Sequence, residues 1–518
     1  MPPPCLLIAP QGLTVTGVTT WIALVAKGLA DHDSGLNRPV GVLVHGSIEG
    51  HAEFDLDLPD GAKLFRRDDL PDLDQLNGDL SPIIKAYRNA ARELSHDPRC
   101  DAAVVLVPSR HAECFAACAA LTIVDPEAFR VLGLQHIDGA YETAFIDRYE
   151  PALAALAGVS SRIKDSLRTR FPSRADETFW IPNAAHAPRE VPVREPLADR
   201  PVRLLYTGRI EHEQKRVRAL VRMSDELTRA GVWHELTFLG DGPASGEIDN
   251  LAADRPSITH RSMVPPDQVA GHLAGADVLV LASRTEGMSK SLLEAMAQGC
   301  CPVITDTPSG ARDVIEDGVH GVLVPFEPTD DDDTIGAAMA KSVARAMSLD
   351  LATLGANAHE RVRSFFSPDR LARVVAEVID RTAATPPRSW PADRPVAYNA
   401  SGEAGGPVPP GGRARFAAAL QRLAGKRVAI HGTGQHTRQL APLLAQAPCL
   451  IVGFTDDDPG AAGSRLFNWP VVAPKDAPTL GAEAVLISSA MHESAIFARR
   501  GVYEDLGIEV RRVYETGE

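Results

Sequence analysis

Two glutamates and the loop between them are the strongest chemical signal in this sequence. Glu286 and Glu294 are separated by seven residues, and Glu286 closely follows an apolar run at residues 277–282. The pattern predicts a strand, a turn and a helix that begins near Ser289 and is closed by Gly299. A loop after a parallel strand lies at the carboxyl edge of its sheet, where open α/β folds bind ligands, and a helix N-terminus favours an anion.

Both carboxylates are expected above the same sheet edge, where each could accept hydrogen bonds from sugar hydroxyls. A plainer interpretation is that Glu286 complements the helix dipole and Glu294 is a surface residue. For either glutamate alone, the plainer interpretation would be preferred. Here the two stand in one frame, E-G-M followed by L-L-E-A-M-A-x-G.

A basic stretch follows another apolar run, at residues 202–207. Arg209 comes soon after this run and Lys215 lies a short distance beyond it. Two cations beside the carboxyl edge of a sheet could bind an anionic ligand. The alternative is a solvated basic helix, and Arg216 and Arg218 are expected to be exposed in this way.

The chain as a whole is acidic, with 53 Lys and Arg against 68 Asp and Glu and a formal net charge of -15. This field repels nucleic acids and anionic lipid surfaces, so no nucleic-acid partner is expected. It also repels any other anionic ligand. A site for such a ligand would therefore need a local group of cations and backbone amides, which Arg209 and Lys215 could provide.

The frame around the two glutamates resembles the donor-site motif of retaining GT-B glycosyltransferases of family four. In that family the first glutamate contacts the donor sugar, the second binds the ribose hydroxyls, and the amides between them touch phosphate and sugar. The resemblance assigns these roles to Glu286, Glu294, Gly287, Met288 and Ser289. It implies an α/β fold of GT-B architecture, with two Rossmann-like doubly wound domains facing a cleft, and a metal-independent reaction.

The resemblance extends over roughly residues 1–380 and includes the turn after residues 202–207. Arg209 and Lys215 match the family's diphosphate-binding pair, and Gly208 lies in the same turn. The spacing from Arg209 to Lys215 is one residue longer than in many relatives.

Two weaker matches follow in the same order as in the family. Gly240 and Gly242 lie in a segment that resembles the V-G-x-G-P turn, and Met263 lies in one that resembles the base-binding loop. Glycine suits a close approach of the backbone to a nucleotide, although any strand-to-helix turn could use it.

The first part of the chain supplies matches on the acceptor side. Gly17 lies where a family glycine faces the donor phosphate, but a tight turn without a ligand explains it equally well. His136 ends a run at residues 130–135 and matches the histidine that approaches the donor sugar, with a purely structural histidine as the alternative. Residues 181–185 resemble the P-N-G segment before the hinge but lack its glycine.

Short apolar runs alternate with helical stretches, which predicts parallel sheets covered by helices on both faces. Two series of runs occur, at residues 5–10, 40–46, 102–108, 130–135 and 179–182, and then at residues 202–207, 236–240, 277–282, 301–305 and 321–324. We expect an acceptor-side domain over residues 1–190 and a donor-binding domain over residues 191–382.

A linker rich in proline and glycine is predicted over residues 383–412, followed by a small Rossmann-like accessory domain over residues 413–518. A G-x-G-x-x-T turn at residues 432–437 precedes acidic residues 456–458, which is half of a dinucleotide fingerprint. Because threonine replaces the third glycine, a scaffold or nucleotide-sensing role is preferred to a second catalytic centre.

Seven cysteines, an odd and sparse set, indicate buried thiols in a reducing compartment rather than a disulfide framework. The acidic run at residues 330–333 is interpreted as a helix start, since a metal site needs carboxylates from separated positions. No metal and no cofactor beyond the donor are expected. No signal peptide and no apolar run of about 18 residues occurs, so a cytoplasmic location is expected, with peripheral membrane contact left open.

The sequence thus predicts a retaining hexosyltransferase-type enzyme that transfers a sugar from a nucleoside diphosphate sugar. Its acceptor would be a carbohydrate, a lipid-linked molecule or a small molecule, and the donor sugar, base, linkage and oligomeric state are left open. Two alternatives remain: a catalytically silent sugar-nucleotide-binding or regulatory protein, and a nucleotide-sugar epimerase with a GT-B cleft. Donor turnover would separate the three.

Overall fold

The computed structural model describes residues 2–13, 16–31, 35–46, 58–59, 61–70, 80–95, 102–109, 111–327, 329–391, 396, 408–409, 411–445, 447–467, 469–490 and 492–514. Within that part of the chain three sheets form, of seven, six and six strands. Helices cover the sheets, as the alternating pattern predicts. Among the same residues, no helix is both long and apolar enough to cross a membrane.

The first sheet is parallel throughout and has the strand order β3-β2-β1-β4-β5-β6-β7. Its strands are β1 Cys5–Leu13, β2 Val40–His45, β3 Ala62–Arg67, β4 Val104–Pro108, β5 Phe129–Gln135, β6 Ala155–Gly158 and β7 Thr178–Trp180. Its helices are α1 Gly17–Ala30, α2 Ser81–Ser95, α3 Ala112–Val124, α4 Ala140–Tyr149 and α5 Ser161–Arg170. Strands β2, β4 and β5 are buried along their whole length, which is why they occur as continuous apolar runs. We call this unit the N-terminal lobe.

The second sheet is also parallel, with the order β10-β9-β8-β11-β12-β13. Its strands are β8 Val202–Thr207, β9 His234–Leu239, β10 Ile258–Arg261, β11 Val278–Leu281, β12 Cys301–Thr305 and β13 Val322–Val324. Its helices are α6 Val217–Arg229, α7 Ser245–Ala253, α8 Pro266–Gly275, α9 Lys290–Ala297, α10 Ala311–Val314, α11 Asp332–Ser348 and α12 Leu351–Phe365. Strands β8 and β11 are neighbours at the point where the strand order reverses, so the loops that follow them share the ligand-binding edge. We call this unit the central lobe.

Helix α13, Pro368–Ala384, leaves the central lobe and returns to the N-terminal lobe. Arg38 in the N-terminal lobe donates to Asp380 at 2.8 Å. A Cβ atom added at Gly28 of α1 would lie only 2.6 Å from the Cβ atom of Ala372, so the two helices are in close contact. The predicted unit 191–382 therefore includes a helix that packs on the other lobe.

The third sheet has the order β16-β17-β15-β14-β18-β19 and is parallel except for the β16–β17 pair. Its strands are β14 Arg427–His431, β15 Leu450–Thr455, β16 Arg465–Leu466, β17 Trp469–Val472, β18 Ala484–Ile487 and β19 Glu509–Arg511. Its helices are α14 Gly412–Arg422, α15 Gln435–Ala445, α16 Glu493–Ala498 and α17 Gly501–Glu504. This C-terminal lobe buries its own apolar side chains, whereas the N-terminal and central lobes share one continuous core.

The predicted linker begins as ordered chain on the N-terminal lobe. Trp390 stacks on Tyr149 with 5.6 Å between ring centroids, and Tyr149 donates to the carbonyl of Val396 at 3.1 Å. Residues 392–395, 397–407 and 410 of the linker lie outside the described residues.

Strands β3, β6, β10, β16 and β19 do not appear in the sequence prediction. Each is short or half-exposed: β3 alternates between exposed and half-buried residues, and β6 has only four. The described cysteines, which exclude Cys100, are all buried and free.

Candidate active site

The loop between β11 and α9 carries Glu286 at the carboxyl edge of the second sheet. Strand β11 is fully buried, and α9 begins at Lys290. Ser289 caps that helix, because its hydroxyl accepts the backbone N–H of Leu292 at 3.3 Å. The helix start predicted near Ser289 is therefore confirmed, and the first turn of α9 lies at the carboxyl end of β11.

Glu286 and Lys215 meet at this edge. The Lys215 Nζ atom donates to Glu286 Oε1 at 2.5 Å, and the Ser283 hydroxyl donates to the same oxygen at 2.8 Å. Only 21% of the Lys215 side chain and 14% of the Glu286 side chain are exposed. The pair is thus partly shielded from water, and electrostatic contacts with a ligand would be stronger there than on an open surface.

Residues 208–216, which we call the Lys215 loop, are tied to the Glu286 loop by main-chain contacts. Glu211 accepts the backbone N–H of Lys215 at 2.7 Å and turns the chain. The carbonyl of Gln214 accepts the backbone N–H of Arg284 at 2.7 Å, and its side-chain amide donates to the carbonyl of Thr285 at 2.9 Å. The backbone at Lys215 is therefore fixed by contacts between the loops that follow the neighbouring strands β8 and β11.

Arg209 lies in the same loop with an exposed side chain. The Tyr206 hydroxyl fixes its backbone by donating to the Arg209 carbonyl at 2.6 Å. Its guanidinium makes no hydrogen bond or ion pair with the residues that the structure describes. Arg209 is therefore available to an anion that approaches the sheet edge.

The expectation that Arg216 is a solvated residue is wrong. Arg216 is completely buried, has a left-handed backbone with φ of 53°, and donates to Asp332 at 2.9 Å and to the carbonyl of Asp330 at 2.9 Å. Arg218 is partly exposed, but it pairs with Glu247 through two hydrogen bonds. Arg216 is thus a structural anchor at the end of the Lys215 loop.

The glycines of the two neighbouring turns have a packing role. Gly208 and Gly240 have φ of 146° and 143°, which side chains rarely adopt. A Cβ atom on Gly240 would lie 2.1 Å from the Gly208 carbonyl oxygen, and one on Gly242 would lie 2.2 Å from the Ile210 carbonyl oxygen. The turns after β8 and β9 therefore pack directly on one another.

The Glu286 loop also touches the N-terminal lobe across the cleft. A Cβ atom on Gly287 would lie 1.8 Å from the carbonyl oxygen of His136, so only glycine permits this approach. Asn183 donates from its side chain to the Met288 carbonyl at 2.6 Å. Gly287 and Met288 therefore lie where the Glu286 loop contacts the N-terminal lobe.

His136 follows β5 and is buried beside Trp21, whose ring meets the imidazole edge to face at 5.6 Å. The backbone N–H of His136 donates to Glu142 at 2.7 Å, which orients the segment. Gly17 begins α1, and a Cβ atom there would lie 3.9 Å from the Cβ atom of Lys290. The structure therefore brings Gly17 and His136 of the first sheet to the α9 end of the second.

A cavity of about 350 Å³ opens between α1 and the helices α8 and α9. Glu294 lines it and pairs with Lys290 at 3.2 Å, while Lys290 also donates to the Ala184 carbonyl at 2.9 Å. Burial, with the charges of Lys290 and Lys27, lowers the pKa of His186 in the same wall. The cavity thus combines apolar walls with charged residues of both signs, Lys27 and Lys290 beside Asp267 and Glu294.

Met263 is exposed near one end of this cavity and is not among its lining residues. Its backbone N–H donates to Asp241 at 2.7 Å, while the following Pro266 and Asp267 line the cavity. The predicted base-binding segment is therefore near the cavity, but Met263 itself lies outside the wall.

The acidic run at residues 330–333 serves helix α11. Asp331 caps the helix by accepting the N–H of Thr334 at 2.7 Å, and Asp332 and Asp333 pair with arginines. The helix-start interpretation is confirmed. Within the described ranges, no three His, Cys, Asp or Glu residues are grouped to hold a metal ion.

Two site residues have no role in the sequence prediction: Ser283 donates to Glu286, and Lys290 pairs with Glu294. The spacing of four between Lys290 and Glu294 was a readable signal on a predicted helix. Asn183, which donates to the Met288 carbonyl, lies in the segment that resembles P-N-G, so that segment contacts the Glu286 loop. No distinctive pattern marks Ser283, although its partner is only three residues along the chain.

Several known proteins that are similar to this chain are named as glycosyltransferases. Residues 201–345 match the family model described as "Glycosyl transferases group 1". The alpha-D-kanosaminyltransferase of Streptomyces kanamyceticus is 28% identical over 185 residues, 33% of this chain and 47% of that protein. The lipopolysaccharide 1,6-galactosyltransferase of Salmonella typhimurium is 33% identical over 186 residues, 34% and 49% respectively. The chain thus matches about half the length of these curated relatives.

Solved structures extend the likeness to both lobes. The apo form of the lipopolysaccharide outer core galactosyltransferase WaaB superposes with a TM-score of 0.53 and 19% identity, over 73% of this chain and 99% of its own. Anabaena HepE, solved with UDP-glucose, gives a TM-score of 0.52 at 15% identity over 72% and 99%. The protein has the GT-B fold, with a third sheet added at the C-terminal end.

Proposed function

We propose that this protein is a retaining glycosyltransferase of the family-four type, which moves a sugar from a nucleoside diphosphate sugar to an acceptor hydroxyl. The approach of Lys215 to Glu286 at the edge of the second sheet, opposite His136, carries the proposal. Its relatives are named as glycosyltransferases, which supports the same activity. The lobes would act as the acceptor and donor sides of one cleft.

The diphosphate would lie between Arg209, Lys215 and the N-terminus of α9. Negative charge grows on the diphosphate as the bond to the sugar breaks, so fixed cations there stabilise the transition state more than the bound donor. Lys215 is prepositioned by its loop and Arg209 has no competing partner among the described residues. In this arrangement no metal ion is needed, and we propose a metal-independent reaction.

The nucleoside would occupy the cavity beside α9, with Glu294 accepting hydrogen bonds from the ribose hydroxyls. The apolar walls of this cavity would hold the base. HepE was solved with UDP-glucose, which supports a uridine nucleotide as the first donor to test.

The sugar would then lie between Glu286 and His136. The bond from its anomeric carbon to the phosphate oxygen breaks, and a bond from the same carbon to the acceptor oxygen forms on the same face. The acceptor proton passes to the leaving diphosphate, so no carboxylate nucleophile is required. Glu286 would orient the sugar, and Gly287, Met288 and Ser289 would place backbone groups around it.

The free, buried cysteines support a reducing compartment, and we propose a cytoplasmic location. We also propose domains at residues 1–190, 191–382 and 413–518. Helix α13 comes at the end of the second range but packs on the first domain and completes it.

The test uses the purified full chain and a panel that includes UDP-glucose, UDP-galactose, UDP-N-acetylglucosamine and GDP-mannose. We expect one of them to raise the melting temperature and to release free nucleoside diphosphate with a suitable acceptor, with or without EDTA. Stabilisation by none of these donors, together with no release of nucleotide, would refute the proposal. Isomerised donor without transfer would identify an epimerase instead.

A further inference from the structure

An ion pair joins the C-terminal lobe to the Lys215 loop. Arg499, which directly follows α16, has its Nη2 atom 2.7 Å from Oε2 of Glu213 and 3.0 Å from Oδ2 of Asp457. Glu213 is only two residues from Lys215. The contact therefore reaches from the third sheet to the loop that presents the proposed phosphate-binding lysine.

The C-terminal lobe holds Arg499 in place by a chain of polar contacts that begins at the buried His431. Asp457 follows β15 and lies 3.4 Å from the Nε2 atom of His431, whose Nδ1 atom is 2.6 Å from the Tyr503 hydroxyl. Burial would raise the pKa of Asp457, but its hydrogen bond with His431 and the charge of Arg499 hold that pKa well below its usual range. The guanidinium thus faces two carboxylates in fixed positions.

The Lys215 loop is held on its inner side by the central lobe. Glu211 accepts the N–H of Lys215, and the buried Arg216 pairs with Asp332. Glu213 is the member of this loop that extends toward the C-terminal lobe. The segment is therefore held from both sides, and Lys215 lies between the two attachments.

The Glu213 carboxylate also offsets the positive charge of three neighbouring arginines, Arg216, Arg284 and Arg499. Arg284 is buried beside Arg216 and Arg499; burial, with these two charges, lowers its pKa to about 10. Glu213 and Asp332 oppose that effect. Loss of the Glu213 carboxylate would leave three arginines with less negative charge around them, and the loop would shift to separate them.

The acidic residues after β15 have two roles, one within the C-terminal lobe and one at its contact with the Lys215 loop. Thr433, in the G-x-G turn, donates through its backbone N–H and its hydroxyl to Asp456 at 2.8 and 2.6 Å. The next residue, Asp457, holds Arg499. The acidic residues of the half fingerprint therefore serve the fold and the lobe contact.

We propose that the C-terminal lobe positions the Lys215 loop through the Arg499–Glu213 ion pair, so that Arg499 is a positioning residue for the departure of the diphosphate. This inference rests on the proposed glycosyltransferase activity. A pair that clamps a loop outside the reacting centre affects turnover through the geometry of Lys215, since small displacements of a preorganised charge reduce the rate strongly.

The experiment compares the full-length wild type with Glu213→Gln, Arg499→Gln, the double variant and Arg499→Lys. Arg500→Gln is the matched control, because Arg500 pairs with the exposed Glu504 on its own helix. Hydrogen exchange of the peptide covering residues 208–217 reports the loop directly. Donor turnover, measured as kcat and KM with a UDP-sugar that the wild type uses, reports the consequence.

We expect Arg499→Gln and Glu213→Gln each to speed exchange in the loop and to lower kcat on the order of tenfold, with a smaller change in KM. The double variant should be no worse than either single one, and Arg499→Lys should recover most of the loss. Normal exchange in the loop, or a kcat within twofold of wild type, overturns the inference while the activity stands. If the wild type turns over no donor, the proposed function fails, and the inference about turnover fails with it. The exchange measurement then still decides whether the Arg499–Glu213 ion pair holds the Lys215 loop.

Discussion

Lys215 and Glu286 neutralise each other at the edge of the second sheet, with 2.5 Å between Nζ and Oε1. They come from loops after two adjacent strands, β8 and β11. A diphosphate that binds Lys215 would compete with Glu286 for the ammonium group. Glu286 would then be free to accept a hydroxyl of the sugar, so one ion pair couples phosphate binding to sugar binding.

Removal of either cation should slow the reaction more than it weakens donor binding. For Arg209→Ala and Lys215→Ala we expect kcat to fall by about 10² to 10³, because each contact stabilises charge that grows toward the transition state. Steady-state kinetics with varied donor measures kcat and KM separately. Arg222→Ala is the control, since Arg222 forms an exposed pair with Asp333. Normal turnover in cooperatively folded variants would remove the diphosphate assignment.

Glu294→Ala should weaken UDP binding, because the ribose loses a charged acceptor worth about 1.5–3 kcal/mol. Titration calorimetry would then show an affinity lower by about one to two orders of magnitude. Glu294→Gln keeps a neutral acceptor, so its affinity for UDP should lie between those of the wild type and Glu294→Ala. Glu360→Ala, on the exposed face of α12, is expected to leave the affinity unchanged. Equal UDP affinity in Glu294→Ala and wild type would place the ribose elsewhere.

Arg216→Ala should destabilise the fold. The change leaves Asp332 without its buried partner, and we expect a loss of about 3 kcal/mol in the free energy of unfolding. This figure is at the low end for a broken buried pair because Asp332 keeps some contact with water. Urea unfolding followed by fluorescence measures it, with Arg222→Ala as the exposed counterpart on α6. Equal midpoints for the two variants would contradict the anchoring role of Arg216.

Acid should destabilise the protein through buried histidines. Burial lowers the pKa of His436 to about 4, and burial with the charge of Arg67 lowers that of His45 to about 4. In the unfolded chain histidine binds its proton near pH 6.5, whereas these two histidines stay neutral in the folded protein until the pH approaches 4. The free energy of unfolding is therefore highest above pH 6.5 and falls as the pH drops from 6.5 toward 4. At pH 5 each of these two histidines should lower the free energy of unfolding by on the order of 2 kcal/mol relative to pH 7.5.

The variant His436→Gln tests this expectation, because its amide can still bond to Ser488 and Tyr514 but does not titrate. Urea unfolding at pH 7.5 and pH 5 should show a smaller loss of stability in the variant than in the wild type. An identical loss in both would mean that other groups cause the acid sensitivity.

Much of the central lobe could be predicted from the sequence because its strands are buried on both faces. Such strands are continuous apolar runs, and the residues that follow them lie at a common edge whatever the details of the turns. The closeness of Lys215 to Glu286 follows from this rule once β8 and β11 are neighbours. Strand β3, half-exposed at the sheet edge, has no such run and was not predicted.

Long-range partners explain the remaining differences. Arg216 looks like a solvated residue in a basic stretch, and its burial depends on Asp332, 116 residues away. Asn183 reaches the Met288 carbonyl, 105 residues away, only through the packing of loops. The return of α13 to the N-terminal lobe follows from no local pattern, because an amphipathic helix does not identify the surface that it covers.

Helix α13 has a consequence for how the chain is made. The N-terminal lobe is complete only when residues 368–384 have been synthesised, because α13 covers α1 at Gly28. At 5–20 residues per second, the interval between residue 190 and residue 384 is on the order of 10–40 s. During that time the ribosome-bound chain exposes an apolar helix face that the finished protein buries. Termination just before residue 368 would therefore leave the central lobe with all its strands and helices and the N-terminal lobe without the helix that covers α1.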